Sequence, residues 1–142
     1  MKNMTLIGIL LFIVSCSHEP QIINYSKDVC DFCKMTIMEE RFAAQSISKK
    51  GKVFKFDDAH CLINFLKNGG IWSNEVEGVY FSDYLNKNSW IKSENAFLLK
   101  SDALRSPMGG NIAAFKSMED RESIRIKLNG ELLTWENIKP GK

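Results

Sequence analysis

The 142-residue chain lacks any strong imbalance of charge: 19 lysines and arginines stand against 17 aspartates and glutamates, a formal net charge of +2. It has no basic block, which argues against nucleic acid as a partner. Low-complexity segments are absent, and the length suits one domain or two very small lobes sharing a core. Histidine is scarce, with only His18 and His60. Long apolar runs are missing too. The run from Leu6 to Val14 is too short for a comfortable membrane span and has the form of a signal-peptide core. Cysteine is sparse, with four in the chain.

The apolar run ends in Ile13-Val14-Ser15-Cys16, and polar Ser17-His18-Glu19-Pro20 follows. A branched apolar residue, a small residue and then Cys resembles a bacterial lipoprotein signal, in which Cys16 becomes the lipidated first residue. The alternative is a plain secretory signal with Cys16 a spectator. The first reading predicts a signal peptide over 1–15, a lipidated Cys and flexible tether over 16–28, and a folded domain over 29–142. Burial of acyl CH₂ groups, at about 0.8 kcal/mol each, anchors such a protein without spanning the bilayer. The expected location is a membrane facing the periplasm. Ser17 carries no avoidance signal of the Asp type, which leans toward the outer membrane over the inner. Loss of Lys2 with the signal leaves a net charge of +1.

With Cys16 set aside, Cys30, Cys33 and Cys61 remain, and an odd number in an exported chain argues against a simple disulfide framework. What the chain does have is a concentration of soft sulfur: Cys30-Asp31-Phe32-Cys33-Lys34-Met35 holds two thiols and a thioether in six residues. Soft sulfur selects Cu(I), whereas Zn(II) has little use for a thioether. Met108 is a further candidate ligand. It lies in Ser106-Pro107-Met108-Gly109-Gly110, where Pro and Gly fix the backbone and small neighbours leave the thioether open.

Other readings of Cys30 and Cys33 stay open. They form a structural disulfide in an oxidising compartment, or a thiol–disulfide redox pair, which needs a helix N-terminus at the motif. Lys34-Met35-Thr36-Ile37 is a poor helix start. A closed zinc site needs four ligands, and adjacent His60 and Cys61 on one helix do not both turn easily to one ion. Cys61 lies on the apolar helix face with Leu62 and Phe65, where it reads as a small hydrophobe. His60, one position off that face, is a candidate supporting group near the site or is simply exposed. His18 in the tether is incidental.

Along the chain, Phe42 to Ser48 and Val53 to Phe56 predict a hairpin across Lys49-Lys50-Gly51-Lys52. Asp57-Asp58 caps a helix from Ala59 to Lys67, ended by Asn68-Gly69-Gly70, and Val79-Tyr80-Phe81 reads as a strand. Strands over Ala96 to Lys100 and Ile112 to Phe115, a helix opened by Ser117 and a last strand from Leu132 to Trp135 follow. Gly51-Lys52-Val53-Phe54-Lys55-Phe56 and Gly110-Asn111-Ile112-Ala113-Ala114-Phe115 share G-x-[VI]-x-x-F, each before a helix and then Asn-Gly. The fold class expected is α+β, with two small β-β-α-β units, about 29–88 and 89–142, packed into one body. Neither unit alone has enough apolar residues for a secure core.

Several segments together resemble the NosL-type copper-binding lipoproteins, accessory copper chaperones for nitrous oxide reductase. They are the lipobox, Cys30-x-x-Cys33-x-Met35, Phe56-Asp57-Asp58, Phe81-Ser82-Asp83-Tyr84 with Trp90-Ile91, Ala96-Phe97, and Ser106-Pro107-Met108-Gly109 leading to Phe115. The resemblance covers nearly all of the chain after the signal. It implies paired β-β-α-β lobes, related in fold to part of organomercurial lyase, and Cu(I) held by Cys33 and Met35 with Met108 third and Cys30 a helper. It also implies a carrier rather than an enzyme. The implied partners are the maturation machinery of nitrous oxide reductase, an ABC-transporter complex, and the copper enzyme itself. Two positions depart from the pattern: Lys34 where many relatives have Gly, and Gly110 where many have His.

Overall fold

The computed structural model of the chain describes residues 18–71 and 73–141. The expected signal peptide, Cys16 and Trp72 lie outside the described residues. Strand β1 (Ala44–Ser48) is buried along its whole length because it is flanked on both sides. It pairs antiparallel with β2 (Val53–Phe56) across the Lys-Gly turn and with β3 (Val76–Ser82) on the other edge. Between β2 and β3 runs α1 (Ala59–Lys67), capped by Asp58, whose side chain accepts from the Cys61 N–H. Its buried Ala59, Cys61 and Leu62 and the partly buried Phe65 face the sheet. The Phe65 ring lies 4.9 Å from that of Phe54 and 5.1 Å from that of Phe56. A short strand, β4 (Trp90–Lys92), completes a sheet of order β2-β1-β3-β4.

The second half repeats the plan. Strands β5 (Phe97–Lys100) and β6 (Ile112–Phe115), helix α2 (Met118–Leu128) and strand β7 (Glu131–Leu133) form a sheet of order β6-β5-β7. In both sheets the first strand of the unit sits in the middle, its hairpin partner on one side and the strand after the helix on the other. The G-x-[VI]-x-x-F echo thus marks a true structural repeat, the expected α+β arrangement. Ser117 caps α2 through the Asp120 N–H at 3.1 Å, and Glu119 and Asp120 sit where the helix dipole favours acids.

Three boundaries differ from those expected. The lobe boundary falls after Lys92 rather than at residue 88, since β4 hydrogen-bonds to β3. Trp135 starts a short helix, α3 (Trp135–Ile138), instead of ending a strand, because Thr134 and Asn137 form a capping box. The segment expected as a tether docks on the body: Ile23 is buried, and the Gln45 side chain bonds the Gln21 backbone in both directions, at 2.9 and 2.7 Å.

The lobes share one core. Leu98, Ile112 and Ala114 from the second sheet pack with Phe56, Leu62 and Phe81 from the first. A parallel bridge joins Asp83 to Ala114, and the Phe81 and Trp135 rings meet edge-on at 5.8 Å. Phe42 of the first lobe packs in a second, smaller cluster with Leu99 and Phe115 of the second, so each lobe completes the other's core and neither is expected to hold its fold alone.

Candidate metal centre

The sulfur motif is a miniature ribbon on the outer edge of the first sheet. Val29 bridges Thr36, the Cys30 N–H donates to the Met35 carbonyl at 2.8 Å, and the Lys34 N–H returns to the Cys30 carbonyl at 3.1 Å. Asp31 fastens the ribbon to β2: its N–H donates to the Lys55 carbonyl, and its side chain accepts from the Lys55 N–H at 2.7 Å. Lys34 turns the ribbon with φ of 64°, the left-handed region. That conformation explains why glycine suits the position so well.

The ribbon places Cys30 and Cys33 beside the first turn of α1, where Cys61 points back at them. The three sulfurs lie within 4.8 Å of one another, and none is in a disulfide. Cys30 and Cys61 are fully buried, while Cys33 is half-buried. The trio is therefore sealed on two sides and open on one. Cys61, read from the sequence as a packing residue, is indeed in the core, but it belongs to the thiol cluster as well. Sequence reasoning set it aside because it lies on the apolar helix face with Leu62 and Phe65, where a free thiol packs as a small hydrophobe. His60 instead stays exposed, outside the cluster, and Cys61 turns inward alone. The odd cysteine count left room for a further functional or core thiol but did not single out Cys61.

The electrostatics single out Cys30. Its thiol is pulled down to about 5 because the Cys61 thiol donates to it and the backbone N–H groups of Cys33, Asp57 and Phe32 converge on the same sulfur. Cys61 moves up, as the donor of that bond and through burial. Burial also raises Cys33. The Asp57 carboxyl is pushed up to about 6, first by burial and then by the Cys30 charge, and its Oδ1 is buried without a partner. This is the reverse of a redox pair, which needs its low-pKa thiol at the surface on a helix N-terminus. Here the low-pKa thiol is sealed and sits on a ribbon.

The thioethers differ from each other. Met35 is 56% exposed at the mouth of the ribbon. Met108 is half-buried and packs against the same cluster of side chains as Cys33. Its loop is rigid: Ser106 Oγ accepts from the Asn111 N–H at 2.8 Å, the Ser106 N–H donates to Asn111 Oδ1 at 3.0 Å, and Gly109 supplies a φ of +72°. The loop is also tied to α1. Asp58 Oδ2 accepts from Ser106 Oγ at 2.6 Å, the Met108 N–H at 3.1 Å and the Gly110 N–H at 3.2 Å. Gly110 lies so close to the helix that a Cβ there would sit 3.0 Å from the His60 backbone nitrogen. A histidine in its place has no room without a shift of the helix or the loop.

A sequence model of the NosL family matches residues 22–142. The fold is similar to that in the crystal structure of the copper chaperone NosL from Shewanella denitrificans, with a TM-score of 0.75 and 23% identity over 89% of this chain and 99% of that one. Among curated protein sequences no relative matches.

Proposed function

Since the chain belongs to the NosL family, we propose that it is an exported copper carrier that takes up Cu(I) and hands it to a cuproenzyme of the periplasm. The observation that carries this reading is the trio of sulfurs within 4.8 Å, two sealed and one half open. Three thiolates at this spacing suit a soft monovalent ion, which tolerates low coordination and takes thioethers as additional donors. Cys30, Cys33 and Cys61 hold the ion, Met108 joins from its loop, and Met35 serves the open side. The likeness to a copper chaperone supports the same cargo.

Cargo leaves where it enters. A partner's sulfur ligand approaches past exposed Met35, bonds the ion beside Cys33, and the thioethers, being neutral, let go first. The ion passes through a shared intermediate without being freed, and the carrier catalyses no bond change. Family membership supports the copper centre of nitrous oxide reductase as destination, reached through its ABC-transporter complex. The lipobox at Cys16 supports a lipid anchor facing the periplasm, on the outer membrane in preference to the inner. The thiol–disulfide alternative has the Cys30 thiolate in its favour, but that sulfur is sealed from any substrate disulfide.

The test is an anaerobic Cu(I) titration of the reduced protein against a competing chelator, with Cys30→Ser, Cys33→Ser, Cys61→Ser, Met35→Ala and Met108→Ala. Tight uptake of one Cu(I), weakened by each cysteine change and by Met108→Ala, is expected. Binding that ignores Cys61 and both methionines would overturn the reading.

A further inference from the structure

We infer that Asp58 is the positioning residue that brings the Met108 thioether to the thiol trio, by latching the loop of one lobe to the helix of the other. This inference rests on the proposal that the trio and Met108 share one ion.

Asp58 is fully buried, and among the described residues no Lys, Arg or His forms an ion pair with it. Burying a carboxylate without a cation is costly unless hydrogen bonds meet its oxygens. Here four do, and they divide cleanly. Oδ1 takes the Cys61 N–H at 3.1 Å, the ordinary cap of α1. Oδ2 takes three donors from the other lobe, the Ser106 hydroxyl and the Met108 and Gly110 N–H groups. A capping role uses one oxygen and needs nothing from a distant loop. The second oxygen is the anchor of a small nest of loop donors, and Gly109 and Asn111 adopt left-handed φ values of 72° and 53° to point them inward.

One carboxylate thus bonds the backbone of two residues that both carry sulfur, Cys61 and Met108. Neither residue moves independently of the other while the latch holds. Gly110 contributes by its missing side chain, since a Cβ would lie 3.2 Å from Asp58 Oδ2. The carboxylate does not touch the ion in this arrangement. Its effect on copper passes through Met108.

The experiment is a double-mutant cycle on the reduced full-length protein, with Cu(I) affinity measured against a chelator for Asp58→Asn, Met108→Ala and the pair. X-ray absorption counts the sulfur ligands of the bound ion. Asparagine keeps the cap oxygen and the volume but puts an NH₂ against donors on the other side; Ser106→Ala, a gentler cut of one latch bond, serves if Asp58→Asn does not fold. Loss of a residue that orients a ligand lowers metal affinity by about 10- to 100-fold. The expected result is such a loss for Asp58→Asn in the Met108 background, little further loss in Met108→Ala, and one sulfur fewer around the ion in either single variant. Additive losses with the sulfur count unchanged in Asp58→Asn would overturn the latch while leaving the copper site intact. A Met108→Ala protein that binds as the parent does would overturn the role of Met108, and the latch with it. A trio that binds no Cu(I) would instead overturn the underlying reading.

Discussion

The Cys61 and Cys30 sulfurs lie within 4.8 Å of each other, and both residues are fully buried. Cys61 sits on a helix and Cys30 on a ribbon at the sheet edge, so their proximity joins the motif to α1, as Asp31 joins it to β2. It also decides which thiol carries the charge. A sulfur that accepts from one thiol and three backbone N–H groups is the better anion.

That assignment predicts a thiolate in the reduced, metal-free protein. With Cys30 at about 5 against an ordinary 9.0, its charge stabilises the fold in full above the ordinary thiol range, and this contribution is lost as pH falls through about 5. The thiolate ultraviolet absorbance should show a step near pH 5 that Cys30→Ser abolishes. Absorbance that first rises above about pH 8, in the ordinary thiol range, would refute the assignment. Since Cys30 is already ionised at neutral pH, loading Cu(I) onto all three thiols there should release no more than two protons, readable by calorimetry in buffers of different ionisation enthalpy.

Lys34 stands at φ 64° where an L side chain is disfavoured. Its Nζ bonds the Asp31 carbonyl at 2.6 Å, but that bond is exposed and weak. Lys34→Gly should therefore stabilise the protein by about 1 kcal/mol, the usual left-handed penalty of an L residue, less the loss of that bond. A denaturation midpoint that falls would show that the ribbon depends on the lysine.

Gly110 packs on the first turn of α1. Gly110→Ala should lower stability by about 1–3 kcal/mol, as overpacking does. Gly110→His should weaken rather than strengthen Cu(I) binding, because the side chain displaces the Met108 loop. Tighter binding by Gly110→His would mean that the loop moves freely enough to admit a new ligand.

Ser117 caps α2 on the far lobe, through the Asp120 N–H. Ser117→Ala should cost about 1 kcal/mol of stability and leave Cu(I) affinity unchanged. A loss of affinity would reveal that α2 reports to the metal centre.

Much of this protein was decided locally. The strands and helices follow from alternation, from Asp58 and Ser117 as caps, and from glycine or asparagine at the turns, all of which act over a few residues. Cys30, Cys33 and Met35 are legible as a soft-sulfur cluster because they lie within one short ribbon, and the repeated G-x-[VI]-x-x-F pattern disclosed two equivalent units. Cys61 was legible only as a buried helical residue. Whether it met Leu62 and Phe65 alone or two other thiols depended on where β2 carries the ribbon relative to α1, and periodicity says nothing of that. The Asp58 latch lay still further out of reach. Its cap to Cys61 spans three residues, but its bonds to Ser106, Met108 and Gly110 cross between lobes 48 to 52 positions apart. Local chemistry chose the donors and the elements that carry them; only the packing of the chain in three dimensions gathered the three thiols and tied the Met108 loop to Asp58, because that packing is set by the shared core and not by any short stretch of chain.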